Sequence, residues 1–120
     1  MSYWLIIGSI FGFLTVALGA FGAHGLKNIL LKNETLEVFN KAVIYQIFHT
    51  IALLCVGNLQ MITGRSFFIT GICFTFGVII FSGSLYLLSI TNIRWLGAIT
   101  PIGGLFFILG WITFFVNLIN

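Results

Sequence analysis

Charge is what this sequence has least of. Lysine, arginine and glutamate together make up 6% of the 120 residues, while 60% are hydrophobic. A soluble domain needs about 25% charged residues to cover its surface, so a water-wrapped globule is excluded and an integral membrane protein is implied. The only acids, Glu34 and Glu37, share one polar segment. No apolar run therefore holds a carboxylate, which counts against proton coupling through one. Both cysteines, Cys55 and Cys73, lie inside apolar runs, where thiols serve as inert packing groups. No disulfide is expected. There is no zinc-ligand spacing, and His24 and His49 stand 25 positions apart, so neither a metal nor any other cofactor is expected. Three of the five basic residues sit in the segment that carries the acids. No basic groove for nucleic acid can be drawn.

What the chain does have is four long apolar runs, at about 3–23, 42–62, 66–90 and 95–118. A hydrocarbon core of ~30 Å needs roughly 20 helical residues. The expected fold is all-α: residues 1–120 form one integral membrane four-helix bundle, with a short amphipathic segment between helices 1 and 2. The first run has no basic residues ahead of it and exceeds a usual leader in apolar length, so it reads as a retained span. Tyr3 and Trp4 fall where an interfacial aromatic belt would lie.

Between the first two runs, residues 24–41 carry five of the seven charges, while Leu26, Ile29, Leu30 and Leu31 hold the segment at the interface. Asn33 or Thr35 is a candidate helix cap, with Glu34 and Glu37 favourable in the first turn. Helix 2 is therefore expected to begin ahead of its span. Thr63-Gly64-Arg65 and Thr91-Asn92-Ile93-Arg94 read as tight turns. Lys27, Lys32, Lys41 and Arg94 fall on one side and Arg65 on the other. The lysine–arginine rule then makes the first and third loops cytoplasmic and puts both termini outside the cell inner (plasma) membrane.

Within span 1, Gly8, Gly12, Thr15, Gly19 and Gly22 are spaced four, three, four and three, a stripe of small residues along one face. In lipid such stripes let backbones approach. Packing within the bundle is the first reading; a seam between copies, giving a homo-oligomer, is the second. Span 4 opens with Gly97, Thr100, Pro101 and Gly104 and ends with Gly110 and Trp111. Gly104 joins the packing set. Pro101, about two turns in, is expected to free a carbonyl that Thr100 or a facing hydroxyl would satisfy.

Polar groups inside hydrocarbon are costly and mark where helices meet one another or a wet cavity. On span 2, Tyr45, Gln46 and His49 share one helical surface. On span 3, Ser82, Tyr86 and Ser89 fall at i, i+4 and i+7, with Ser84 on a neighbouring face. His49 lies about 12 Å into its span at 1.5 Å per residue. His24, Tyr45, Gln46, His49, Ser82, Tyr86 and Thr100 are thus expected to form a polar cluster in the cytoplasmic half. The cluster either ties the helices together or receives a ligand. No catalytic set is visible: Gly83-Ser84-Leu85 lacks the glycines of a nucleophile elbow, and no acid is near to orient either histidine.

Four blocks carry a likeness: Gly19-Ala-Phe-Gly-Ala-His-Gly-Leu26; Tyr45-Gln46 with His49 and Ala52-Leu53-Leu54; Phe81-Ser-Gly-Ser-Leu-Tyr86; and Leu96-Gly-Ala-Ile-Thr-Pro-Ile-Gly-Gly104 with Gly110-Trp111. Over these blocks the chain resembles the small bacterial membrane proteins of the domain of unknown function 423 family, whose eukaryotic relatives include transmembrane protein 256. The resemblance implies a four-helix inner-membrane protein and brings no reaction, substrate or cofactor. The function expected is non-enzymatic, binding membrane lipids or a partner. An oligomeric transporter or channel is the alternative.

Overall fold

The structure, a computed structural model, describes residues 2–120. Among the described residues four helices are long and apolar enough to cross a membrane: α1 (Tyr3–Gly25), α3 (Leu36–Thr63), α4 (Phe68–Thr91) and α5 (Arg94–Ile119). The short α2 (Lys27–Lys32) lies between the first two. The described residues contain no strand. The fold is the all-α membrane bundle that the apolar runs predict.

The helix ends have local causes. Ser2 begins α1, its Oγ accepting the Leu5 N–H at 3.4 Å. Gly64 stops α3 in the left-handed conformation, φ 69°, with its N–H on the Gln60 carbonyl. Asn92 does the same for α4 at φ 58°. Helix α3 starts at Leu36, ahead of its apolar run, as the polar segment suggests. Its start is not held by a side-chain cap, however. Asn33 and Thr35 reach across to α4 instead: Thr35 Oγ1 donates to the Ser89 carbonyl at 2.7 Å, and Asn33 Nδ2 donates to the carbonyls of Ser89 and Ile90. Arg94 donates to the Asn33 carbonyl. The α1–α3 connection and the α4–α5 turn are thereby fastened at one end of the bundle. At the other end Arg65 donates to the carbonyl of Asn117.

Pro101 also differs from expectation. Residues Arg94–Ala98 form a tighter 3₁₀ turn, and the α-helical part of α5 begins at Thr100. Pro101 therefore sits in a first α-helical turn, where its missing N–H is tolerated. Thr100 Oγ1 leans on the Leu96 carbonyl at 3.5 Å.

Helices α3 and α4 form the inside, with 44% and 50% of their apolar windows buried against 17% for both α1 and α5. Helix α1 lies antiparallel on α3. A methyl group placed on Gly8, Gly12, Gly19 or Gly22 would face Leu54, Thr50, Val43 or Phe39 in turn. The small-residue stripe thus packs inside its own chain, and that face is covered by α3. Helix α5 lies antiparallel on α4 by a reciprocal fit. The Phe74 ring fills the space over Gly110, the Phe107 ring that over Gly77, and the Phe81 backbone presses on Gly103. Thr70–Thr113 at 2.9 Å and Ser84–Thr100 at 2.6 Å extend the same register in both directions. Gly104, expected as a packing position, is not part of this fit: a methyl there would meet only Phe81 Cδ2, at 4.0 Å. One residue is about 100° of helix, so Gly103 faces α4 and Gly104 faces away. Trp4 crosses Gly71 and completes a core with Phe11, Leu53, Val56, Phe67, Phe74, Val78 and Phe107. Cys55 and Cys73 are free thiols.

Candidate functional site

Gln46 and His49 lie near the middle of α3, where the chain is apolar on every side. Three positions turn a helix through about 300°, so the two side chains point in directions roughly 60° apart and meet different neighbours. Gln46 is 3% exposed; its Nε2 donates to the Phe11 carbonyl of α1 at 3.1 Å, and its Oε1 accepts the Tyr86 hydroxyl of α4 at 2.5 Å. One amide thus joins three helices. Tyr86 is fixed edge-on against Phe39, with ring centroids 5.3 Å apart. A turn away, Ser82 donates to the Ala42 carbonyl at 2.8 Å.

His49 turns to α5. Its Nδ1 lies 2.8 Å from the Tyr45 carbonyl, and Trp111 Nε1 donates to its Nε2 at 3.0 Å. A carbonyl can only accept and an indole N–H can only donate. These partners assign the neutral imidazole with its proton on Nδ1. The ring stacks on Phe107, with centroids 3.6 Å apart and planes 7° apart.

The seven residues expected to cluster are distributed in sets. Gln46 with Tyr86, and Ser82 beside them, face α1 and α4; His49 faces α5. Thr100 pairs with Ser84 between α4 and α5. Tyr45 supplies its carbonyl to His49, while its half-exposed ring lies on Phe81 at 4.5 Å. His24 is exposed where α1 ends and is not among the partners of Gln46, His49, Ser82 or Tyr86. Two partners escaped the sequence reading. The Phe11 carbonyl leaves no trace in residue type. Trp111 did leave a sign: it lies well inside an apolar run, and a tryptophan away from the interface needs a partner for its N–H.

Two grooves flank α3. The larger, about 550 Å³, lies between α3 and α5, lined by Ile44, Tyr45, Phe48, His49, Gly104, Phe107, Ile108 and Trp111. The smaller, about 180 Å³, lies between α1 and α4 over Gln46, Ser82 and Tyr86. Each of these two helices carries a wide π turn, Ala17–Gly22 in α1 and Val78–Ser82 in α4, and Leu18, Val78 and Ile79 from those turns line this groove. Such turns re-aim side chains where a helix carries a site. Among the described residues no three of His, Cys, Asp and Glu come together as a metal site. The hydrogen bonds of His49 go to a carbonyl and an indole, not to a hydroxyl or thiol that it could activate.

A family model described as a protein of unknown function, DUF423, matches residues 18–104. A UPF0382 membrane protein of Staphylococcus saprophyticus is 45% identical over 93% of this chain and 92% of its own. Another, from Staphylococcus haemolyticus, is 43% identical over 98% and 95%. The UPF0382 membrane protein YwdK of Bacillus subtilis is 43% identical over 93% and 92%. No solved structure matches the chain.

Proposed function

This chain belongs to the DUF423 family of membrane proteins of unknown function, and we propose that it is a non-enzymatic protein of the cell inner membrane that holds a lipid at its α3–α5 groove. The observation that supports this reading is the groove itself: it is lined mostly by apolar side chains, lies between two helices long and apolar enough to cross a membrane, and has the His49–Trp111 pair as a polar point in its wall. Gln46, Ser82, Ser84, Tyr86 and Thr100 are occupied with one another or with carbonyls, which ties helices together. In this reading the bundle is a lipid-binding or membrane-organising element. Its α1–α3 and α4–α5 connections face the cytoplasm and its termini face out, following the four-to-one division of lysine and arginine.

Gly104 provides the test. A Cβ there meets only Phe81 Cδ2, at 4.0 Å, and Gly104 lines the groove, so a leucine is expected to extend into it. Native mass spectrometry of the full chain, extracted gently from its membrane, is expected to show a retained lipid that Gly104→Leu loses at unchanged thermal stability. Equal retention by both proteins, or none by either, overturns the reading.

A further inference from the structure

We propose that the ligand of the α3–α5 groove is an uncharged lipid carrying a ring hydroxyl, of the phenol or quinol class. This rests on the reading of that groove as a lipid site and asks which lipid the site selects.

The first constraint is charge. None of the lining residues is charged. His49 stands near the middle of Leu36–Thr63, and Trp111 lies well inside Arg94–Ile119. The lysines and arginines lie at the ends of the bundle or in its connections. An ionised headgroup drawn to this depth would leave water without a counter-charge, which is strongly unfavourable. A phospholipid could place only its tails here.

The second constraint is the pair of polar atoms. Trp111 Nε1–H points at His49 Nε2 across 3.0 Å, and both residues line the groove, His49 3% and Trp111 38% exposed. A guest oxygen that enters between them must accept from the indole and donate to the imidazole. His49 Nδ1 is engaged by the Tyr45 carbonyl, which keeps Nε2 an acceptor. A carbonyl or ether oxygen can take the indole proton but leaves Nε2 without a partner. A hydroxyl satisfies both atoms. The exchange leaves no protein group unpaired, whereas an acceptor-only oxygen strands a lone pair.

The third constraint is shape. Tyr45, Phe48, Phe107 and Trp111 supply rings to the wall, with Phe48 and Trp111 centroids 5.6 Å apart. Aromatic walls favour a flat partner in stacked or edge-on contact. Gly104 leaves the wall open at the level of Phe107 and Ile108.

The experiment titrates the detergent-solubilised full chain with a long-chain alkylphenol, with its O-methyl ether and with phosphatidylglycerol, reading bound fractions by native mass spectrometry. The phenol is expected to bind about fivefold more tightly than its ether, the worth of one hydrogen bond. Gly104→Leu should weaken both by about tenfold or more, because it occupies the space they need. His49→Leu should erase the phenol-over-ether preference. His49→Phe, which keeps a ring against Phe107 and removes the acceptor, should do the same if His49→Leu does not assemble. Equal binding of phenol and ether to the unaltered chain, or a preference untouched by His49→Phe, overturns the inference. Phosphatidylglycerol held in a Gly104-dependent way, with no binding of the phenol, overturns it while leaving the lipid reading intact. No Gly104-dependent binding of any probe overturns both.

Discussion

Two antiparallel contacts, α1 on α3 and α4 on α5, use glycine in opposite ways. Helix α1 brings the recognisable stripe, but a methyl added at three of its four glycines, 12, 19 and 22, would stand 3.2 Å or more from the nearest side-chain atom, and one at Gly8 would meet the flexible end of Leu54. Helices α4 and α5 have no stripe of their own. Each offers glycines opposite the other's phenylalanines, and the atoms that would be struck are ring faces and backbone. Tolerance therefore follows what lies opposite a glycine, not how regular the motif looks. A methyl group that meets a leucine tip can push it aside; one that meets a backbone must move a helix.

That contrast sets the order of effects. Gly103→Ala drives its methyl into the Phe81 backbone. It is expected to lower stability by about 3 kcal/mol, at the upper end of overpacking costs, seen as a large fall in thermal unfolding temperature in detergent. If Gly103→Ala proves no worse than Gly12→Ala, the contrast is broken. Next comes Phe107→Ala, which opens a hole over Gly77 beside His49; a loss of about 3 kcal/mol or slightly less is expected, since large-to-small core changes cost on this scale. Gly77→Ala combined with Phe107→Leu should recover part of the loss, and failure to do so would argue against the reciprocal fit. Gln46→Leu removes two interhelical bonds and strands the Tyr86 hydroxyl. About 1 kcal/mol is expected, with Tyr86→Phe nearer the ~0.6 kcal/mol of a single membrane hydrogen bond. A double-mutant cycle between the two positions should show coupling, and strict additivity would refute the bond. Smallest of all, Gly12→Ala faces Thr50 Cγ2 at 3.7 Å and should change stability by less than about 0.5 kcal/mol.

How much of this was readable beforehand differs from element to element. The four spans and both tight turns were plain in the sequence, because apolar length and a glycine or asparagine at a helix end act locally. The face of α1 that packs was readable too, since its residues repeat on one helix. The α4–α5 fit was harder to see. Phe74, Gly77, Phe81 and Ser84 in one helix match Gly110, Phe107, Gly103 and Thr100 read backwards in the other. That complement appears only when two segments are compared in opposite directions. Gly104 was taken for its neighbour Gly103 because small residues adjoin there, and composition alone does not set rotation about a helix axis. Asn33 and Thr35 had the chemistry of helix caps, yet their side chains found carbonyls more than fifty residues away.

The polar set divides in the same way. That Gln46 and His49 needed partners followed from their residue types in an apolar run, because hydrocarbon supplies none. Which partners they took was decided by a turn of about 60° between them and by which helix came to lie on each side. Apolar length and the scarcity of charge determine a membrane bundle of four helices, since both act on each segment separately. The rotation and register that aim Gln46 at Tyr86, aim His49 at Trp111 and leave a groove beside Gly104 depend on side chains from distant segments meeting at once. Only the packed helices decide that.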